Sequence, residues 1–273
     1  MSYFIFDDKQ VYYDELGTGI PLIFLHGNTA SSRMFSEIAY KYQENFKVIL
    51  IDFLGHGKSD RLPEFPADLW FYEAEQVISF LHEKHYSNVN IIGSSGGALV
   101  AINVALEAPD LVNKVIADSF EGEKAVKAFT KNIKSDREYS KHDLNARMFY
   151  EYMHGSDWEQ VVDNDTNAII KHSEEIDEFF HKPLESLKAD ILLTGSKKDE
   201  FISMISQDYF EEAYGRIIEK IGHGRIQLFN EGGHPAMLTN LAEFYELSME
   251  FLKGYGKEVK KKRVQKIPNT SYK

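Results

Sequence analysis

The sequence predicts an α/β protein, an eight-stranded and mostly parallel sheet flanked by helices. Three observations carry that expectation. Eight short runs have strand character, the last six of them are unbroken apolar stretches, and helical patterns fall between them. Strands that alternate with helices in this way build a parallel sheet whose two faces are both covered.

The first two runs, 3–7 and 10–15, alternate in polarity and are separated by little, so they read as an antiparallel hairpin. The continuous runs follow at 21–26, 46–52, 89–94, 114–119, 190–194 and 225–230. Asp68 is placed to cap a helix carrying Leu69, Tyr72, Gln76, Val77, Phe80 and Leu81 at helical spacing. A second helix is predicted over 98–106 and halts near Pro109. Ser206 is placed to cap a third, with Tyr209, Phe210, Ala213, Ile217 and Ile221 inward, and a last helix runs over 236–252 and ends at Gly254. From Phe120 to about Pro183 the strand pattern stops, and helical segments are expected near 123–133, 143–154 and 166–180.

The chemistry centres on residues 89–98. An apolar strand meets Gly93-x-Ser95-x-Gly97 and passes at once into a helix, the strand–turn–helix context of a nucleophile elbow. Ser95 must sit on a strained turn, so its neighbours two residues away must be small enough for strand and helix to approach. The glycines frame Ser95 and not Ser94, and the amide of Gly96 lies at the helix N-terminus, where an oxyanion is stabilised. The alternative is a glycine-rich turn that only packs a helix on a strand. His26-Gly27-Asn28-Thr29 follows the third strand, where a second oxyanion donor, the amide of Asn28, belongs. His56 lies between glycines and reads as a loop residue.

Bulk properties narrow the classes. With 273 residues, 43% of them hydrophobic, the chain buries a sizeable core, as one domain or one with an insertion. Cysteine is absent, which excludes disulfides and thiolate metal sites, and no segment reads as a signal peptide or membrane span. A cytoplasmic protein is expected. The net charge of −12 divides into about +6 on residues 257–273 and about −18 on the rest. So acidic a body is a poor match for nucleic acid. The basic tail, with Lys257, Lys260, Lys261, Lys262, Arg263 and Lys266, reads as solvated. No cofactor and no metal is expected, because the scattered histidines lack ligand spacing.

His-Gly-Asn at 26–28, Asp52…Gly55-His56-Gly57-x-Ser59, the Gly93-x-Ser95-x-Gly97 elbow and Gly232-Gly233-His234 together resemble the α/β-hydrolase superfamily, over residues 1–253. The resemblance implies the α/β-hydrolase fold, its second strand antiparallel, with a nucleophile, an acid and a histidine in that chain order. It implies a core at 1–120 and 184–256 and a helical cap insertion at 121–183, followed by the 257–273 tail. The cap's basic first part and acidic second part, the latter including Asp157, Asp163 and Asp165, read as solvated faces paired to each other. Met148, Phe149, Tyr152, Met153, Trp158, Phe179 and Phe180 are the candidates for pocket wall.

The catalytic residues expected are Ser95 as nucleophile, His234 as general base and Asp199 as the acid that orients it. Relatives place the acid three residues after the glycine that is Gly195 here, a position taken by Lys198, so Glu200 stays a second candidate and Asp118 a third. His26 is expected to support the oxyanion loop. Serine at position 95 argues against the dehalogenase and epoxide hydrolase branches, which use aspartate. The loop lacks the His-Gly-Gly-Pro-Gly of proline iminopeptidases and the glycine-rich loop of carbon–carbon bond hydrolases. The expected activity is hydrolysis of a small-molecule carboxylic ester. Amidase or peptidase, thioesterase and lactonase chemistry use the same atoms, and a ligand-binding protein without turnover is the alternative from another class.

Overall fold

The computed structural model describes residues 2–202, 205–206 and 208–254, so the basic tail lies outside the described residues. Eight strands form one sheet: β1 (Ser2–Phe6), β2 (Lys9–Leu16), β3 (Pro21–Leu25), β4 (Lys47–Ile51), β5 (Val89–Ser94), β6 (Val112–Asp118), β7 (Asp190–Ser196) and β8 (Arg225–Phe229). Their spatial order is β1-β2-β4-β3-β5-β6-β7-β8. β2 runs antiparallel to both β1 and β4, and every other pairing is parallel. The β1–β2 hairpin turns on Asp7 and Asp8, both at positive φ (52° and 59°), a conformation that aspartate tolerates better than most residues.

The ten helices of the described residues are α1 (Ser36–Tyr42), α2 (Leu69–Glu83), α3 (Gly96–Glu107), α4 (Lys127–Thr130), α5 (Ile133–His142), α6 (Leu144–His154), α7 (Trp158–Glu175), α8 (Tyr209–Ile221), α9 (Ala236–Thr239) and α10 (Leu241–Lys253). Each central strand sends alternate side chains to opposite layers. Ile23 and Leu25 belong to the core on the face covered by α2, α3 and α8, while Leu22 and Phe24 belong to the core on the face covered by α1 and α10. This two-sided burial is why the central strands read as apolar runs; β8, at the sheet edge, departs from that expectation, with Arg225, Ile226 and Gln227 exposed.

Helix ends depart from the sequence reading in four places. Asp68 stands at the N-cap of α2, but its side chain makes no cap hydrogen bond and meets His181 at 2.6 Å instead. Asp208, not Ser206, precedes α8, and the Ser206 hydroxyl accepts the Asp208 N–H. The last helix is broken at Asn240, the residue between α9 and α10. Between β6 and β7 the segment expected over 123–133 is helical at Lys127–Thr130 and again from Ile133, where α5 begins, and α7 runs over Trp158–Glu175 in place of 166–180. α4 and α5 are short and bury only Ile133 between them, and the buried face of α7 includes the polar Asp165, Thr166, His172 and Ser173, so apolar periodicity marks all three weakly. The 143–154 segment matches α6, where the Asp143 side chain accepts the amides of Asn145 and Ala146.

The two ends of this helical insert clasp each other. Lys124 and Glu178 form an antiparallel bridge, and the Phe179 N–H donates to the Glu123 carbonyl. Lys124–Glu178 and Lys127–Asp177 pair at 2.8 Å, and Lys141 pairs with Asp163, so the basic and acidic parts do meet. Asp165 is the correction: it is fully buried and does not face solvent.

Candidate active site

The chain leaves β3 to one side, for β4, and returns to the other side of β3, for β5, so the sheet has its topological switch point between β3 and β5. Loops beyond the strand C-termini diverge there and leave room for a ligand. The loop from β3 carries residues 26–29 and the loop from β5 carries Ser95. A β-carbon on Gly27 would stand 2.8 Å from that of Ser95.

Ser95 has φ 55° and ψ −123°, a conformation costly for any residue but glycine. It is held by crossing chains on both sides. A β-carbon on Gly93 would overlap the Gly97 carbonyl, and one on Gly97 would overlap the carbonyl of Leu25. Ser94 is fully buried in β5. Gly96 is the first residue of α3, whose leading amides have no acceptor within the helix.

His234 lies beyond β8, and its Nε2 is 3.0 Å from Ser95 Oγ. Its Nδ1 is 2.8 Å from Asp199 Oδ2. Asp199 is fully buried and its other oxygen accepts the Phe201 N–H. The other two carboxylates hold the backbone around the histidine. Glu200 accepts the His234 N–H at 2.9 Å. Asp118 accepts the Met237 N–H at 3.0 Å and the Thr194 hydroxyl at 2.7 Å. Burial pushes the Asp118 carboxyl up to about 6, against the hydrogen bonds that favour its charge.

The loop after β3 is fastened from behind. His26 accepts the Phe53 N–H at Nε2 and its Nδ1–H donates to the Gly27 carbonyl. That pairing requires the neutral ring, and burial, with His56 nearby, pushes its pKa down to about 3. His154 of α6 repeats the pattern: its Nδ1 accepts the Gly57 N–H and its Nε2–H donates to the Thr29 carbonyl. Burial and His56 push it to about 3 as well. His56 is buried between them, its ring 5.0 Å from that of His26 and 5.7 Å from that of His154.

The aromatic residues expected to line a pocket are distributed otherwise. Met148, Phe149 and Tyr152 are exposed, Trp158 stacks on Tyr150, and Phe179 packs against Trp70 and His172. Phe201 stands edge-on to the His234 ring at 5.0 Å, and Phe129 of α4 stands 5.9 Å from Phe201. No spacing in the sequence marks either ring. A cleft of about 390 Å³ between Leu62–Ala67 and α7 has none of Ser95, Asp199 or His234 in its wall. Among the described residues no group of three or more His, Cys, Asp or Glu side chains converges as a metal ion would require.

Comparison with known proteins agrees with this fold. Residues 20–134 match the family model described as the alpha/beta hydrolase fold. A 2-(acetamidomethylene)succinate hydrolase of Mesorhizobium japonicum is 31% identical over 106 residues, 39% of this chain. The chain spans 37% and 41% of the lengths of the first two curated relatives it matches. A 2-hydroxy-6-oxo-6-phenylhexa-2,4-dienoate hydrolase of Comamonas testosteroni is 24% identical, over 90% of this chain and 92% of that one. Among solved structures, an esterase from Exiguobacterium antarcticum superposes with a TM-score of 0.70 at 22% identity, covering 90% of this chain and 97% of that one.

Proposed function

We propose that the chain is a serine hydrolase of the α/β-hydrolase superfamily, acting on a small-molecule carboxylic ester. The observation that carries the reading is the unbroken run from Ser95 Oγ through His234 to Asp199, with contacts of 3.0 and 2.8 Å, on a serine held at positive φ.

In this reading His234 Nε2 takes the Ser95 hydroxyl proton as Oγ attacks the carbonyl carbon. The amides of Asn28 and Gly96 stabilise the oxyanion. The leaving alcohol departs with the proton from His234, leaving an acyl group on Ser95. Water, deprotonated by His234, releases the acid and restores the serine. Asp199 keeps the Nδ1–H tautomer and stabilises the imidazolium. The α4–α7 insert serves as the cap over this site.

The test is labelling with a fluorophosphonate, on wild type and Ser95→Ala in parallel, followed by p-nitrophenyl esters of increasing chain length. Ser95→Ala and His234→Ala are each expected to lower kcat roughly 10⁴- to 10⁶-fold. Labelling lost in Ser95→Ala, with steady turnover by wild type, supports the reading. Folded wild type that takes no label overturns it in favour of a ligand-binding role. The Comamonas relative, aligned along nearly its whole length, favours a second reading, hydrolysis of a 2-hydroxy-6-oxo-dienoate. Loss of the dienoate's absorbance on adding enzyme, with no ester turnover, would select it.

A further inference from the structure

We infer that Asp165, on α7, is a positioning residue for the oxyanion hole, holding the loop after β3 in the one conformation that aims the Asn28 amide at the reacting carbonyl. The inference rests on the serine-hydrolase reading above. It starts from Thr29, which has φ 54° although its side chain is β-branched. A branched residue in the left-handed region persists only where its surroundings hold it there.

Two helices of the insert do so. The Thr29 N–H donates to Asp165 Oδ2 at 3.1 Å, and the Asn28 side-chain amide donates to the same oxygen at 2.9 Å. On its other side, the Thr29 carbonyl accepts from His154 of α6 at 3.0 Å. The far end of the Asn28 side chain is fixed too, since its Oδ1 accepts the Trp70 indole N–H at 3.3 Å. With that side chain and the 28–29 peptide both held, the peptide bearing the Asn28 N–H has little freedom left. Gly96 lies directly against this arrangement, because a β-carbon there would overlap Asn28 Oδ1.

Asp165 is equipped for the task as an anion. Burial works against its charge, yet His56 at 3.7 Å, the Arg137 guanidinium at 3.9 Å and the Asn28 amide hold the carboxyl below the usual range. A charged acceptor makes the stronger bond to a backbone N–H. If Asp165 only tied the insert to the core, the cost of replacing it would not depend on which residue occupies position 29.

That dependence is the test. Asp165→Asn, Thr29→Gly and the double variant are purified, their folding is checked by circular dichroism, and p-nitrophenyl acetate kinetics are measured. Asp165→Asn is expected to lower kcat roughly 10- to 100-fold with KM within about threefold, since one misplaced oxyanion donor costs on that order. Glycine adopts φ 54° without strain, so in the Thr29→Gly background the same substitution is expected to cost about threefold or less. Equal losses in both backgrounds, or a folded Asp165→Asn with kcat within about twofold of wild type, would overturn the inference. Deuterium uptake by the peptide covering 27–33 reads the loop without any turnover. Faster uptake in Asp165→Asn supports the clamp even if Ser95 proves unreactive, in which case the hydrolase reading alone falls. Unchanged uptake overturns it.

Discussion

Around His234 three carboxylates divide the work by which atom each reaches. Asp199 faces the imidazole at 2.8 Å, Glu200 takes the backbone N–H of the same residue, and Asp118 secures the start of α9 three residues on. Their places in the sequence do not separate the first two, because they are adjacent. The backbone does: it turns Asp199 inward to full burial and leaves Glu200 at the surface. Asp199→Asn is expected to lower kcat about 10⁴-fold, through loss of the Nδ1–H tautomer. Glu200→Gln retains an oxygen for the His234 N–H and is expected to stay within about tenfold of wild type. Steady-state kinetics on a p-nitrophenyl ester compare them, and a greater loss at Glu200 would reverse the assignment.

At the scale of elements, α6 and α7 are fastened to the segment after β3 by polar contacts, most of them buried. Ser31 bonds the Met153 carbonyl, Arg33 bonds that of Tyr152, and His154 and Asp165 hold Thr29. His154 makes this junction sensitive to acid in a direction that can be worked out. Folded, its pKa is about 3; unfolded, it returns to about 6.5. As pH falls from 6.5 towards 3 the unfolded chain takes up a proton that the folded chain refuses. The residue's contribution is therefore complete above pH 6.5 and lost progressively below it. By pH 5 the loss is about 2 kcal/mol. His154→Gln does not titrate, so the stability gap between wild type and variant should narrow by that amount between pH 7.5 and pH 5 in urea unfolding. A gap independent of pH would mean that the folded histidine takes up its proton over the same pH range as the unfolded chain. Apolar periodicity is blind to such contacts: Asp165 sits in an acidic run, and only the packing of α7 on the loop marks it out.

For the whole molecule, stability comes from a sheet covered on both faces. Phe24 in the middle of β3 packs against Phe35 and Tyr42 with ring centroids 5.2 and 5.3 Å apart, on the face away from α2, α3 and α8. Phe24→Ala is expected to cost about 3–5 kcal/mol, through lost burial and the cavity left behind. Urea unfolding measures it, and a cost under 1 kcal/mol would show that α1 and α10 collapse onto the gap. The same strand leads directly into the loop that carries Asn28 and Thr29.

The sequence by itself determined the eight strands, the elbow and the histidine after β8. Each is a local pattern: an unbroken apolar run, a glycine-framed turn between strand and helix, a histidine beyond a strand end. Tertiary structure alone decided the helix boundaries of the insert, which of two adjacent carboxylates reaches the imidazole, and the buried link from Asp165 to Asn28 and Thr29. Those depend on contacts between residues far apart in the chain, where burial reverses what an acidic side chain means and no spacing records the partner.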